Sequence, residues 1–191
     1  MIKMIPWSVD LDLTDFYAKA HAKGHGNNST QKMLVDCFAN ERHKQTWMMY
    51  QDDQAVGSVA AHSLDLPQLG PDAYRICART CVFTDLLPRR SLRTISVITH
   101  HQNYTAQYLM PTCIAWTPPW ADLYITSTEN SVGSQRAVNR TFCPALEATG
   151  VLEFAGKHIY RDTEQSFWKV NVNKFYAELD TYGRWTNDVS I

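Results

Sequence analysis

The chain has 191 residues, 18 basic and 19 acidic side chains, and a 45% hydrophobic and 12% aromatic content. That length suits one domain with a sizeable core, expected over residues 1–191, because two domains would each be small. Balanced charge without runs of one sign argues against nucleic-acid or membrane-surface partners, which select broad fields of one sign.

No stretch of about 18 uninterrupted apolar residues occurs, so a transmembrane helix is not expected. The opening MIKMIPWSVDLDL lacks the apolar core and small-residue cleavage site of a secretory signal. Five cysteines (Cys37, Cys77, Cys81, Cys113, Cys143) are scattered, odd in number and form no CxxC pair. They read as buried reduced thiols in a cytoplasmic protein, with neither a disulfide framework nor a zinc site. His21 and His25 are spaced for one helical face, but Gly24 and Gly26 end that helix and no acidic residue completes a metal motif, so no metal is expected.

In chain order, Ile2 to Trp7 reads as a first strand. A helix opens near Asp10 or Thr14, with Phe16, Tyr17 and Ala20 on one face. A second helix starts at Ser29 or Thr30, carrying Met33, Leu34, Cys37 and Phe38 as its apolar stripe. TWMMY, a turn at Asp52-Asp53-Gln54, and AVGSVAAHSL form a hairpin. Pro67 to Asp72 is a connection, and Tyr74 to Phe83 is the next strand. PRRSLRTISVITHHQN reads as a loop with some extended structure. A short helix then runs from about Tyr104 to Met110, with Tyr108, Leu109 and Met110 on its packed side; Pro111 is expected to stop or kink it. LYITS (123–127) is a short strand. A helical region from about Ser134 to Thr149 is bent or broken at Pro144 and ended by Gly150. The closing VLEFAGKHIYRDTEQSFWKV reads as two strands joined near Arg161-Asp162. The order predicts an α/β (α+β) single domain with a mixed, mostly antiparallel central sheet flanked by helices.

Three segments carry a family likeness. WMMYQDDQAVGSVAA, with Val56-Gly57 opening its second strand, LYITSTEN with the helix ending in LEATGV, and EFAGKHIYRDTEQSFWKV stand in the order in which the GNAT acetyltransferase superfamily places comparable segments. The chain resembles that superfamily from about Ile2 to Val170. The resemblance implies an N-acyltransferase that moves an acetyl or other acyl group from acyl-CoA to a small-molecule or peptide amine. In the family, a glycine-rich loop before a helix holds the donor's pyrophosphate with backbone amides. The best counterpart here is HQNYTAQYLM, so His101, Gln102, Asn103, Tyr104, Thr105 and Ala106 are the candidate cofactor-binding residues, joined by Asn139 from the later helix, with Asn130 just after the strand as the alternative for the family's asparagine.

Two departures stand against an intact site. No glycine occurs from Pro71 to Val132, and Tyr104 occupies the position of the loop's first glycine, while Ala106 is an accepted substitute. The family's proton-donating tyrosine falls on Leu146, which carries no proton. The catalytic residues are therefore unassigned, and the alternative is a catalytically silent GNAT-fold module that binds a ligand or protein partner through the same cleft. His100 with His101, and Arg89, Arg90 and Arg93, are further candidates for phosphate contact. Asp65, Asp72 and Asp85 are candidates for holding a cationic amine. An unpaired edge strand in the closing hairpin allows a homodimer.

Overall fold

The computed structural model describes residues 1–8, 11, 14–22, 44–71, 73–82, 105–128, 143–160 and 162–183. In chain order these form β1 (Ile2–Pro6), α1 (Thr14–Ala22), β2 (Lys44–Gln51), β3 (Gln54–Ser63) and β4 (Arg75–Val82). A π-helical turn (Thr105–Leu109) leads into α2 (Met110–Trp116), and then come β5 (Asp122–Thr128), α3 (Cys143–Ala148), β6 (Leu152–Tyr160), β7 (Thr163–Val170) and α4 (Val172–Gly183). The second helix expected from Ser29 or Thr30, and the loop before Tyr104, lie outside the described residues.

All seven strands join one sheet in the order β1-β2-β3-β4-β5-β7-β6. The two expected hairpins form its arms. At the β2–β3 turn Asp52 takes φ 54°, and between β6 and β7 Asp162 takes φ 60°; aspartate tolerates this left-handed geometry better than most residues. Every described pairing is antiparallel except β4 with β5. A parallel pair needs a crossover, and the segment between residues 82 and 122, with α2 in it, supplies one.

Alternation along the strands sorts the core into two faces. One face carries Trp47, Met49, Val59, Ala61, Ile76, Ala78, Leu123, Trp168 and Val170. It packs in one apolar cluster with Leu109, Met110, Cys113 and Ile114 of the central helix, Cys143 and Leu146 of α3, and Phe175 of α4. The opposite face packs Leu64, Leu66, Cys77, Tyr124, Tyr160 and Phe167 together, while Met48 meets Phe16 of α1.

One expectation about proline needs correction. The helix does not end at Pro111: α2 continues to Trp116. Pro111 sits in the first α-turn, where its missing N–H and fixed φ cost little, and a π-turn precedes it. Pro144 lies in α3; residues 134–142 before it, and with them the expected bend or break at Pro144, lie outside the described residues. Gly150, at φ 73°, ends α3 as expected. The helix α4 was not anticipated. Asn171 opens it, its side-chain oxygen accepting from the Lys174 amide at 3.1 Å and its carbonyl from the Phe175 amide at 2.8 Å.

Candidate functional site: a wedge between β4 and β5

β4 and β5 pair over four positions only, from Arg75 with Asp122 to Ala78 with Ile125. Past that point each strand keeps its outer neighbour and leaves its inner one. β4 stays paired with β3 as far as Val82, and β5 with β7 as far as Thr128. A wedge opens between them, with Arg79 and Thr126 the first residues beyond its apex. Alternate residues of Arg79–Val82 therefore turn N–H and C=O groups toward β5 without a ladder partner there.

The crossover fixes what stands at the mouth of this wedge. β5 begins opposite the start of β4, so the helical segment must return from the C-terminal end of β4 to its N-terminal end. Its beginning, at Thr105, thus lies toward the splayed end, and the π-turn touches β2, β4 and α4. Ligands of open α/β sheets bind outside the carboxyl ends of parallel strands, where a helix N-terminus offers partial positive charge. Of the sequence candidates, Thr105 and Ala106 fall at this helix start, described by their backbone. His101, Gln102, Asn103, Tyr104 and Asn139 lie outside the described residues, as do His100, Arg89, Arg90, Arg93, Asp72 and Asp85. Asp65 is described and exposed.

The wall of the wedge opposite α2 is polar, and sequence reasoning missed it. Gln165 of β7 is only 2% exposed. Its Oε1 accepts from Thr126 Oγ1 at 2.9 Å and from Arg79 Nη2 at 3.1 Å, while its Nε2 donates to the Tyr160 carbonyl at 2.9 Å. One amide therefore ties β4, β5 and the end of β6 across the gap. The Arg79 guanidinium also lies 5.8 Å from the centroid of the Tyr160 ring, a cation–π distance. Tyr160 stacks on His62 with centroids 6.4 Å apart and meets Phe167 edge-on at 6.1 Å. Within His62, Nδ1 donates to the Ser63 carbonyl at 2.8 Å.

Leu146, where the resemblance calls for a tyrosine, is 8% exposed and belongs to the apolar core. Cys143 and Cys113 are buried thiols, each pushed up to about 12 mainly by desolvation, so neither is a nucleophile near neutral pH. Cys77 is also buried and in no disulfide, as expected. At the closed end of the pair, Lys169 and Asp122 form an ion pair at 2.7 Å. Among the described residues, no helix is long and apolar enough to cross a membrane.

No protein-family profile and no curated protein sequence matches the chain. Solved structures do. The chain is similar to FeeM, an N-acyl amino acid synthase from uncultured soil microbes, with TM-score 0.57 and 9% identity over 93% of this chain and 94% of that one. It is similar to AAC(6′)-Ib, solved in complex with paromomycin and acetyl-CoA, with TM-score 0.54 and 9% identity over 92% of this chain and 96% of that one. A probable GNAT-family acetyltransferase from Chromobacterium violaceum gives TM-score 0.54 and 9% identity, over 92% and 90% of the two chains.

Proposed function

The chain has the GNAT fold, and on that premise we propose that it is an N-acyltransferase using acetyl-CoA or another acyl-CoA, with the wedge between β4 and β5 as its reaction site. The observation that carries the reading is the early parting of the parallel pair, which leaves the β4 edge past Ala78 without a described partner strand beside a helix N-terminus. An unpaired strand edge suits an extended donor arm bearing amide groups, which it binds as a neighbouring strand would. Acyl-CoA supplies the electrophile: the amine nitrogen bonds to the acyl carbon, the carbon–sulfur bond breaks, and the proton lost by nitrogen is made good on sulfur through solvent. The chain's own part is to align the two reactants and aim a β4 backbone N–H at the carbonyl oxygen, where charge develops. A backbone donor needs no particular side chain, so the work does not depend on the identity of residue 146.

The core position of Leu146 favours a second reading, a GNAT-fold module that binds in the wedge without transfer. Calorimetric titration with acetyl-CoA and CoA, followed by a thiol-release assay over a panel of amines, separates the two. Micromolar binding with acceptor-dependent thiol release is expected. Absence of binding at millimolar ligand would overturn the CoA-dependent reading, and binding without turnover on every amine would leave the silent module.

A further inference from the structure

Arg79 points to the class of acceptor. It is the first residue of β4 beyond the last pair with β5, and its side chain lies on the sheet face opposite α2. The helix start is thus on one side of the wedge and Arg79 on the other. A donor held at the helix start leaves Arg79 to whatever enters from the opposite face. The guanidinium is always charged, yet its described polar partner is the neutral amide of Gln165. Among the described residues, no carboxylate pairs with it. Among the described residues its buried Nε–H finds no hydrogen-bond acceptor. Described side chains on that face near it include Ala60, His62, Cys77, Thr126, Tyr160, Gln165 and Phe167, none of them acidic.

A half-buried cation with no counter-ion among the described residues, already oriented by a fixed amide and an aromatic ring, is a prepared anion site. It repels a polyamine and attracts a carboxylate. We propose that the acceptor is an amine that also carries an acidic group, an amino acid or a peptide with a free carboxylate, and that Arg79 takes that group while the amine faces the β4 edge. Gln165 positions the guanidinium without neutralising it. This inference rests on the acyl-transfer reading only for the fate of the amine; the anion site stands on Arg79 itself.

The test compares each of the twenty amino acids with its α-amide, and with spermidine, as acceptors of acetyl-CoA, and measures binding of the same compounds calorimetrically in the presence of CoA. Acids are expected to exceed their amides by roughly thirtyfold in kcat/KM, the size of effect carried by a charged hydrogen bond. Arg79→Met should bring the ratio to within about twofold, and Arg79→Lys should retain part of it. The near-isosteric Gln165→Glu places a carboxylate against the guanidinium and should also erase the preference, an outcome that a purely structural role for the cluster does not produce. Should Arg79→Met fail to fold, Gln165→Glu and Arg79→Lys decide. Equal use of acid and amide, a preference for spermidine, or an acid preference that survives both Arg79→Met and Gln165→Glu overturns the proposal. If no compound is acetylated, the acyl-transfer reading fails on its own. The binding ratio then judges the anion site: acid-over-amide binding lost in Arg79→Met upholds it, and no such discrimination in the wild type overturns it.

Discussion

Replacing Gln165 by leucine removes a side chain that ties together the described strands on both sides of the wedge. The change deletes a bond from Thr126, a bond from Arg79 and a bond to the Tyr160 carbonyl, all within 3.1 Å. Each neutral bond contributes about 1 kcal/mol net, and the Tyr160 carbonyl, whose bond is buried, adds a desolvation cost of about 1 kcal/mol when orphaned. Arg79 is half-buried and regains water, so its share is discounted to about 1 kcal/mol. The new leucine recovers about 1 kcal/mol by burying apolar surface. The balance is a loss of about 3 kcal/mol, or about 9 °C in Tm for a domain of this size. Urea unfolding followed by tryptophan fluorescence reads the change as a lower midpoint with unchanged slope. A loss below about 1 kcal/mol would refute the claim that this amide holds the two halves of the sheet together across the wedge.

Two more tests address buried and charged groups. With thiols pushed up to about 12, Cys113 and Cys143 should hold thiolate at only about one part in 10⁴ at pH 8. Iodoacetamide should leave both unlabelled in the native protein and modify both in urea; rapid native labelling at Cys143, read by mass spectrometry, would revive it as a nucleophile. Lys169 is raised chiefly by its hydrogen bond with Asp122. A raised lysine stabilises fully below its unfolded value and loses that contribution as pH climbs through the folded value, so the benefit fades above about pH 10.5. The partners are 41% and 30% exposed, so Asp122→Asn should cost no more than about 1 kcal/mol at pH 8 and nothing extra at pH 11.5. A gap between variant and wild type that widens with pH would contradict this.

Local chemistry made the arms of the sheet readable. The β2–β3 and β6–β7 hairpins announce themselves through strand-forming runs around aspartates that accept positive φ. Pro111 misled because proline costs little in a first turn and much in a helix interior, and residue type alone does not say which applies. The signal for α4 was present: Asn171 as a cap, then Val172, Phe175 and Tyr176 at helical spacing. The wedge is a different matter. That β4 and β5 are parallel follows from element order, but where they part is a property of register between segments some 47 positions apart. Gln165 stands in the run TEQSFW, where a polar residue looks solvent-facing, yet it is buried because Arg79 and Thr126, 86 and 39 positions away, arrive on the same face. No local pattern encodes such a meeting.

Leu146 brings sequence and structure together most sharply. Counting back from Gly150 sets it where the family likeness calls for a tyrosine, which suggests that one substitution could restore a proton donor. The structure argues otherwise. The Leu146 carbonyl accepts from the Val151 amide and from the Thr149 hydroxyl, both at 2.9 Å, and Gly150 at φ 73° fixes the exit of the helix into β6. With its backbone held at both points, α3 cannot rotate to aim residue 146 elsewhere, and the side chain stays in the cluster that includes Cys143, Val151 and Phe175. Leu146→Tyr should therefore overpack the core and bury a hydroxyl, at a cost of about 1–3 kcal/mol. It should lower Tm by several degrees and leave acetyl-CoA-dependent thiol release no faster than in the wild type. A Leu146→Tyr variant that melts like the wild type and turns over faster would place residue 146 at the wedge, and the proton for sulfur would then come from this helix and not from solvent.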